Sequence, residues 1–207
     1  MTISQFRALF FASCILAAPM GQAQSTSAEE RDAARLMAEE ISVLMTDLEA
    51  RAEGFPAVLE ALAEGKANIE QADETVDELI SQLNRVTDEM DDNSEFDQAI
   101  DDFKTSTTEL ISEAEASTNE AIRGLIPDLQ ETLTGLESDD EQRSKTVVDA
   151  RNLIRTLEEN KETISFFIRA GEVQKAAEMI SANVGDFANI VERGKAVADG
   201  LLEAANP

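Results

Sequence analysis

Histidine, tryptophan and tyrosine are missing from the 207-residue sequence, and Cys14 is its only cysteine. Histidine and cysteine are the usual protein ligands of zinc and copper, and histidine is the usual base in serine and cysteine hydrolases. The nine glycines are scattered, so no glycine-rich phosphate-binding loop is present. We therefore expect that the chain is not an enzyme and that it holds no cofactor.

Basic residues are also scarce, with 17 Lys and Arg against 43 Asp and Glu, which gives a formal net charge of -26. Proteins that bind nucleic acids or anionic lipids do so through basic patches, and we expect neither partner here. The imbalance is uneven, because residues 25–140 hold 32 acidic and 7 basic residues, whereas residues 141–207 hold 11 and 9. This acidity favours solubility, and it leaves a cationic partner or a metal ion open.

Residues 1–23 have the pattern of a secretory signal peptide. Arg7 supplies the positive charge, residues 8–20 are an apolar stretch of 13 residues, and Gly21 and Ala23 are the small residues expected before a cleavage site. Thirteen residues of helix rise only about 20 Å, less than the roughly 30 Å core of a bilayer, so a membrane anchor is disfavoured. We expect a protein exported to the periplasm or the extracellular space, with no stable membrane insertion after cleavage.

Cys14 allows one alternative, a lipobox over residues 11–14 that would make the protein a lipoprotein. Phe11 stands where leucine is usual, and cleavage before Cys14 would leave the apolar residues 15–18 on the mature chain. Cleavage after Ala23 instead removes the only thiol. The exported chain would then have no disulfide bond and would be held together by packing alone.

The rest of the sequence predicts an all-α protein. Alanine, glutamate and leucine, all good helix formers, are the commonest residues, and no stretch alternates apolar and polar residues as a half-buried strand does. Glycine, proline and short polar runs mark the expected helix ends. The first predicted helix runs from Ser25–Ser27 to Glu53 and is ended by Gly54-Phe55-Pro56, and the second runs from Pro56 to Asp91. The third runs from Ser94 to Leu136 with a kink at Pro127, and the fourth runs from a turn at Ser138–Glu141 to Gly171. Two shorter helices are predicted over residues 172–182 and 186–205.

Apolar residues recur at heptad spacing along these helices. In the second helix one row repeats every seven residues and another lies three residues later, which is the 3-4 spacing of coiled-coil seams. Lys161 interrupts the row of the fourth helix, and it either extends to water, pairs with an acid or sets the register. The rows are Ile69, Val76, Leu83 and Met90 with Ala72, Leu79 and Val86; Phe96, Phe103 and Leu110 with Ile100, Thr107, Ala114 and Ala121, continued beyond the kink by the period of Ile122, Leu129 and Leu136; and Val147, Ala150, Ile154, Leu157, Ile164 and Ile168.

Long helices joined by short turns predict an elongated, antiparallel up-and-down helical bundle with coiled-coil-like heptad seams. We assign residues 1–23 to the signal peptide, residues 24–170 to an acidic long-helix bundle, and residues 171–207 to a short C-terminal helical hairpin that packs on the bundle. An extended rod or a coiled-coil oligomer would use the same seams, and the sequence alone does not separate these arrangements.

Two acidic runs are candidates for a cation site. Asp91, Asn93, Glu95 and Asp97 align with ligand positions of a calcium-binding loop. The EF-hand motif nevertheless fails, because Phe96 replaces the glycine of the sharp turn and Asp102 replaces the bidentate glutamate. We interpret the run as a solvated turn, with a weak divalent-cation site as the alternative. The second run has less support still, and it contains Glu137, Asp139, Asp140 and Glu141.

Phe166, Phe167 and Ile168 are three adjacent apolar residues, and together they cover about 200° of a helix, more than one seam requires. One interpretation buries them under the C-terminal hairpin. The other makes Phe166 and Phe167 exposed contacts for a partner protein, and the nearly neutral charge of residues 141–207 suits such a surface.

These observations favour an exported helical interaction or structural protein that acts by helix packing and not by catalysis. Two alternatives stay open. One is a periplasmic helical bundle that holds a small cation or an apolar ligand between its helices. The other is an acidic extracytoplasmic chaperone that engages basic clients.

Overall fold

The structure is a computed structural model, and it describes residues 28–64, 69–181 and 183–205. The predicted signal peptide, Cys14 and the predicted Ser25–Ser27 cap lie outside these residues. The described residues form α-helices without a β-strand, which confirms the all-α prediction. The helices are α1 (Ala28–Ala63), α2 (Ile69–Met90), α3 (Glu95–Ala116), α4 (Glu120–Arg123), α5 (Ile126–Arg169), α6 (Val173–Ser181) and α7 (Val184–Ala205).

The predicted end of the first helix at Gly54-Phe55-Pro56 is wrong. Helix α1 continues through Pro56 to Ala63, and α2 begins only at Ile69. Phe55 is buried, with 1% of its surface exposed, so packing holds the chain in helical geometry across the proline. Local helix breakers such as Gly and Pro are weak predictors where a neighbouring side chain is in the core.

The predicted kinked helix through Pro127 and the predicted turn at Ser138–Glu141 are also wrong. Helix α3 ends at Ala116, the four-residue α4 follows with Asn119 as its N-cap, and α5 then runs for 44 residues without a turn. Pro127 lies in the first turn of α5, where its missing N–H has no helical partner to lose. The polar run from Ser138 to Glu141 is helical, and Asp139 and Asp140 are only half-exposed.

Three predicted boundaries are confirmed. A turn follows Met90, and Ser94 caps α3 by accepting a hydrogen bond from the Asp97 N–H at 3.1 Å. Gly171 has φ +75° and ends α5, with its N–H donating to the Ile168 carbonyl at 3.0 Å. The Glu172 N–H donates to the Phe167 carbonyl at 2.8 Å, which completes a Schellman motif. The shorter helices α6 and α7 follow.

Most of the apolar rows identified in the sequence are buried. Leu110 and Ile122 are half-buried and Ala121 is exposed, so burial fades toward the α3–α4 connection. Knobs-into-holes packing of these rows and the antiparallel order of the whole bundle stay predictions. The row residues that are buried are Val76, Leu79, Leu83, Val86, Met90, Phe96, Ile100, Phe103, Thr107, Ala114, Leu129, Leu136, Val147, Ala150, Ile154, Leu157, Ile164 and Ile168.

Two compact units divide the chain. Unit A comprises the described residues of Met1–Glu40, Asp92–Gln142 and Ala196–Pro207. Unit B comprises the described residues of Ile41–Asp91 and Arg143–Lys195. Helices α1, α5 and α7 contribute residues to both. In the described part of the chain, no helix combines the length and the hydropathy that crossing a membrane requires.

Ion pairs connect the helices of unit B. Along α2, Asp73, Asp77 and Asp91 contact α5 residues that follow one another in the reverse order. Lys161, which interrupts an apolar row in the sequence, is one of these partners, so its predicted pairing with an acid is confirmed. The pairs are Asp73 with Arg169, Asp77 with Lys161, Asp91 with Arg151, Arg51 with Glu78, Arg193 with Asp149, and Lys195 with Glu49.

Candidate functional site

The turn between α2 and α3 uses its acidic groups to hold its own backbone. The Asn93 N–H donates to Asp97 Oδ2 at 2.7 Å, and the Asn93 carbonyl accepts from Gln98 Nε2 at 2.8 Å. Asn93 adopts the left-handed conformation, φ +67°, which asparagine tolerates well in turns. Asp91 forms an ion pair with Arg151, and Glu95 is exposed.

The four candidate calcium ligands are therefore a paired carboxylate, a turn residue, an exposed side chain and a capping group. Within the described ranges, no group of three or more acidic, histidine or cysteine side chains has the spacing to hold a metal ion. Cation binding by this turn stays a prediction that a calcium titration tests.

The second acidic run lies in unit A and is split between two environments. Asp140 Oδ2 lies 2.9 Å from Lys104 Nζ, which also lies 2.8 Å from Asp101 Oδ1. These two hydrogen bonds raise the pKa of Lys104. Asp139 instead points at the backbone of α7, where a Cβ atom built on Gly200 would lie 2.1 Å from its Oδ2 atom.

The carboxyl group of Asp139 is electrostatically unusual. Burial, and to a smaller extent the negative charge of Glu203, raise its pKa to about 6. The Asp139 carboxyl group can approach the α7 backbone this closely because Gly200 has no side chain. The sequence contains no signal for the contact, since an isolated glycine in a helix is consistent with many roles.

Gly194 in unit B is a second close approach on α7. A Cβ atom there would lie 2.3 Å from Met45 Cε and 2.9 Å from Met45 Cγ. Met45 is fully buried, so its side chain fills a notch that only glycine leaves open. Both glycines were isolated residues in the sequence, and both are contact points between helices.

Arg143 is a buried charge that sequence reasoning did not single out. Its residue is 4% exposed, and its Nη1 atom donates to the Met90 carbonyl at 2.6 Å. That carbonyl belongs to the last turn of α2, where a positive charge also interacts favourably with the helix dipole. The burial of Arg143 could have been predicted from its position, because it lies four residues before the buried Val147 on the same face of α5.

The two adjacent phenylalanines at the end of α5 form what we call the Phe corner, defined as Phe166 and Phe167. The Phe166 residue is 65% exposed, which makes the burial interpretation wrong for it. The two rings meet edge to face, with centroids 5.9 Å apart and an interplanar angle of 61°. Phe167 is half-buried, and Lys175 Nζ lies 5.3 Å from its ring centroid. The neighbouring Ile168 is in the core.

The charges around the Phe corner fall into two groups. Arg169 lies 3.9 Å from Asp73, and Lys175 pairs with Glu172, so the nearest cations have carboxylate partners. Glu159 and Glu162, which precede Phe166 on α5, are exposed, and neither has an ion-pair partner among the described residues. The corner therefore combines an exposed aromatic ring with nearby unneutralised negative charge.

No protein-family model, no curated protein sequence and no solved structure matches this chain.

Proposed function

We propose that this chain is an exported helical protein that acts by binding another protein, and that the Phe corner is part of the contact surface. The single observation that carries the proposal is the Phe166 side chain, whose residue is 65% exposed beside a partly buried Phe167. Exposed aromatic rings are costly in water and are enriched among the residues that dominate protein–protein affinity.

The surroundings of Phe166 support a binding role because they hold the ring in place before any partner arrives. Ile168 anchors the end of α5 in the core, and the Schellman motif at Gly171 fixes the turn that follows. Phe167 supports the Phe166 ring from the side. A side chain that is already ordered loses little conformational entropy on binding, so more of the contact energy appears as affinity.

In this proposal the remainder of the chain is a scaffold. The helices form an antiparallel up-and-down bundle with heptad seams, and the reversed order of the α2–α5 ion pairs supports that arrangement. The acidic surface keeps the exported protein soluble. Chemistry on a substrate has no part in the proposed function.

Photo-cross-linking at position 166 tests the proposal. A photoreactive phenylalanine analogue replaces Phe166 in the full chain, expressed in the cells of origin, and the same analogue replaces Val148 as a control. Val148 is 54% exposed on the same helix, so the two positions are matched in exposure and element. We expect one discrete adduct from position 166, lost on Phe167→Ala, and none from position 148. Equal or absent adducts at the two positions would contradict the proposal.

Export is tested separately by the mass of the protein recovered from its native compartment. Cleavage after Ala23 predicts a mature chain that begins at Gln24 and has no thiol that reacts with maleimide. A lipid-modified Cys14 at the N-terminus would support the lipoprotein alternative instead.

A further inference from the structure

The charge pattern on α5 identifies the kind of partner that fits the Phe corner. Glu162 and Glu159 lie four and seven residues before Phe166, which places them about 6 and 10 Å from it along the helix axis. At 100° per residue both lie within about 40° of the Phe166 direction, so the three side chains share one face. That face presents one apolar group followed by two carboxylates.

We infer that the Phe corner binds a basic amphipathic helix of another protein, with an apolar side chain over Phe166 and Lys or Arg residues opposite Glu162 and Glu159. The inference rests on the proposed function and adds the chemistry of the partner. Helix-on-helix docking of this kind uses anchors at i, i+3, i+4 and i+7, the spacing that α5 presents.

Charge complementarity carries the choice of partner. Both glutamates are exposed and have no ion-pair partner within residues 28–64, 69–181 and 183–205, whereas the nearby Arg169 and Lys175 have carboxylate partners. The next cation along the face, Arg155, donates to Asn152 Oδ1 at 3.3 Å and lies beyond Glu159. The unsatisfied charge beside Phe166 is therefore negative, and a partner with positive charge one and two turns from its apolar anchor neutralises it.

Two other occupants fit this face less well. A second copy of the chain would bring together two molecules with a formal net charge of -26 each, and this repulsion opposes self-association. An anionic lipid surface would be repelled by Glu159 and Glu162, although an exposed phenylalanine alone would suit it. A cationic helix satisfies both the ring and the carboxylates.

A peptide titration tests the inference, and the composition of the chain makes it unusually clean. The protein has no tryptophan and no tyrosine, so a tryptophan on the peptide is the only indole fluorophore. The probe is a Leu–Lys amphipathic peptide of about 18 residues, long enough to form a helix on a surface, with one Trp on its apolar face. The comparison probe has Glu in place of every Lys, and both are titrated with the full mature chain.

The decisive variants separate the ring from the carboxylates. Glu159→Gln with Glu162→Gln should weaken binding of the Lys peptide about fivefold at low salt, the combined effect of two exposed ion pairs. Glu109→Gln with Glu113→Gln is the matched control: it removes the same charge from exposed positions four residues apart on α3, and it should change binding less than about twofold. Phe166→Ala should weaken binding about tenfold or more, with Val148→Ala as its control.

Each outcome has one meaning. A loss with Phe166→Ala but equal behaviour of the two glutamate pairs overturns the basic partner and leaves the proposed function intact. No effect of Phe166→Ala overturns the proposed function and this inference together. The inference is also overturned if the Glu peptide binds as tightly as the Lys peptide or if neither binds. A Phe166-dependent dimer in light scattering, or Phe166-dependent flotation with phosphatidylglycerol vesicles, overturns it in favour of a second copy or a membrane.

Discussion

Unit A and unit B are built from the same kind of amphipathic helix but treat charge differently. From residue 28 onward, unit A contains 22 acidic and 4 basic residues, and unit B contains 21 and 12. In unit B, ion pairs link α1 to α2 and α7, and α5 to α2 and α7. In unit A, Lys104 is shared between Asp101 and Asp140, and the negative charge of Glu203 helps burial to raise the pKa of Asp139.

The comparison teaches that apolar burial determines the fold in both units, whereas the two units differ in how much of their negative charge is balanced by basic residues. Exposed ion pairs contribute little individually, about 0.2 to 1 kcal/mol each. The larger difference is in net charge, because unit B has 12 basic residues against 21 acidic ones and unit A has only 4 against 22. Unit A should therefore respond more strongly to pH and ionic strength, and four predictions follow that comparison from its common core to its electrostatic differences.

The largest effect is expected from a charge placed in the core. Leu83 in unit B has no exposed surface, so Leu83→Asp should destabilise the protein by about 4 kcal/mol or more and abolish most of its helical circular dichroism. Ser81→Asp introduces the same charge at an exposed position of α2 and should leave the spectrum unchanged. Helicity retained in the Leu83 variant would contradict the core assignment.

The two glycine contacts should respond to alanine in opposite directions. Gly194→Ala in unit B collides with the fully buried Met45, and we expect a loss of about 1–2 kcal/mol in the free energy of unfolding. Gly200→Ala in unit A displaces the Asp139 carboxylate toward water, and the better helix propensity of alanine should offset the strain. Chemical denaturation of both variants measures this, and equal losses would refute the difference between the two notches.

The pH dependence of stability should reveal Asp139. Its pKa is raised to about 6 in the folded protein, so its contribution to stability is fully present below about pH 4 and is lost as pH rises through about 6. We expect the wild type to lose on the order of 1 kcal/mol relative to Asp139→Asn between these limits, a value reduced by solvent screening. Asp102→Asn removes an exposed carboxylate of α3 and serves as the control. Parallel pH profiles for wild type and Asp139→Asn would show that the carboxyl group is not perturbed.

The smallest effect concerns ionic strength. Salt weakens repulsion between exposed charges, with a screening length of about 10 Å at 0.1 M, so added sodium chloride should slow amide hydrogen exchange more in α3 than in α2. Helix α3 lies in acidic unit A, and α2 belongs to unit B with its ion pairs. Exchange measured by mass spectrometry at two salt concentrations tests this, and equal slowing in both helices would remove the electrostatic distinction.

The sequence predicted the helical class and the buried rows because those depend on the periodicity of apolar residues. It did not predict the helix ends that packing overrides. Pro56 lies inside α1 because Phe55 is buried beside it, and Ser138–Glu141 is helical although polar runs usually favour turns. Ser94 and Gly171 were predictable, since their roles as caps depend on local hydrogen bonds that the sequence specifies.

The candidate site was predicted in its residues but not in its environment. In the sequence, Phe166 and Phe167 extend the apolar surface of the helix beyond what one seam requires. Only the structure distinguishes the exposed ring of Phe166 from the half-buried ring of Phe167. The Asp139–Gly200 contact had no sequence signal, because it joins residues 61 positions apart through a side chain that glycine lacks. The periodicity of apolar residues does not predict a contact between residues so far apart in the sequence.

The buried guanidinium of Arg143 forms a hydrogen bond that does not weaken as the pH falls. The pKa of the Asp139 carboxyl group is raised to about 6, so this group loses its charge under mildly acidic conditions, whereas an arginine keeps its proton there. The bond from Arg143 to the Met90 carbonyl should therefore persist when the surrounding acids are neutralised. The junction between α2 and α5 would then keep its geometry in surroundings where the acidic surface has lost much of its charge.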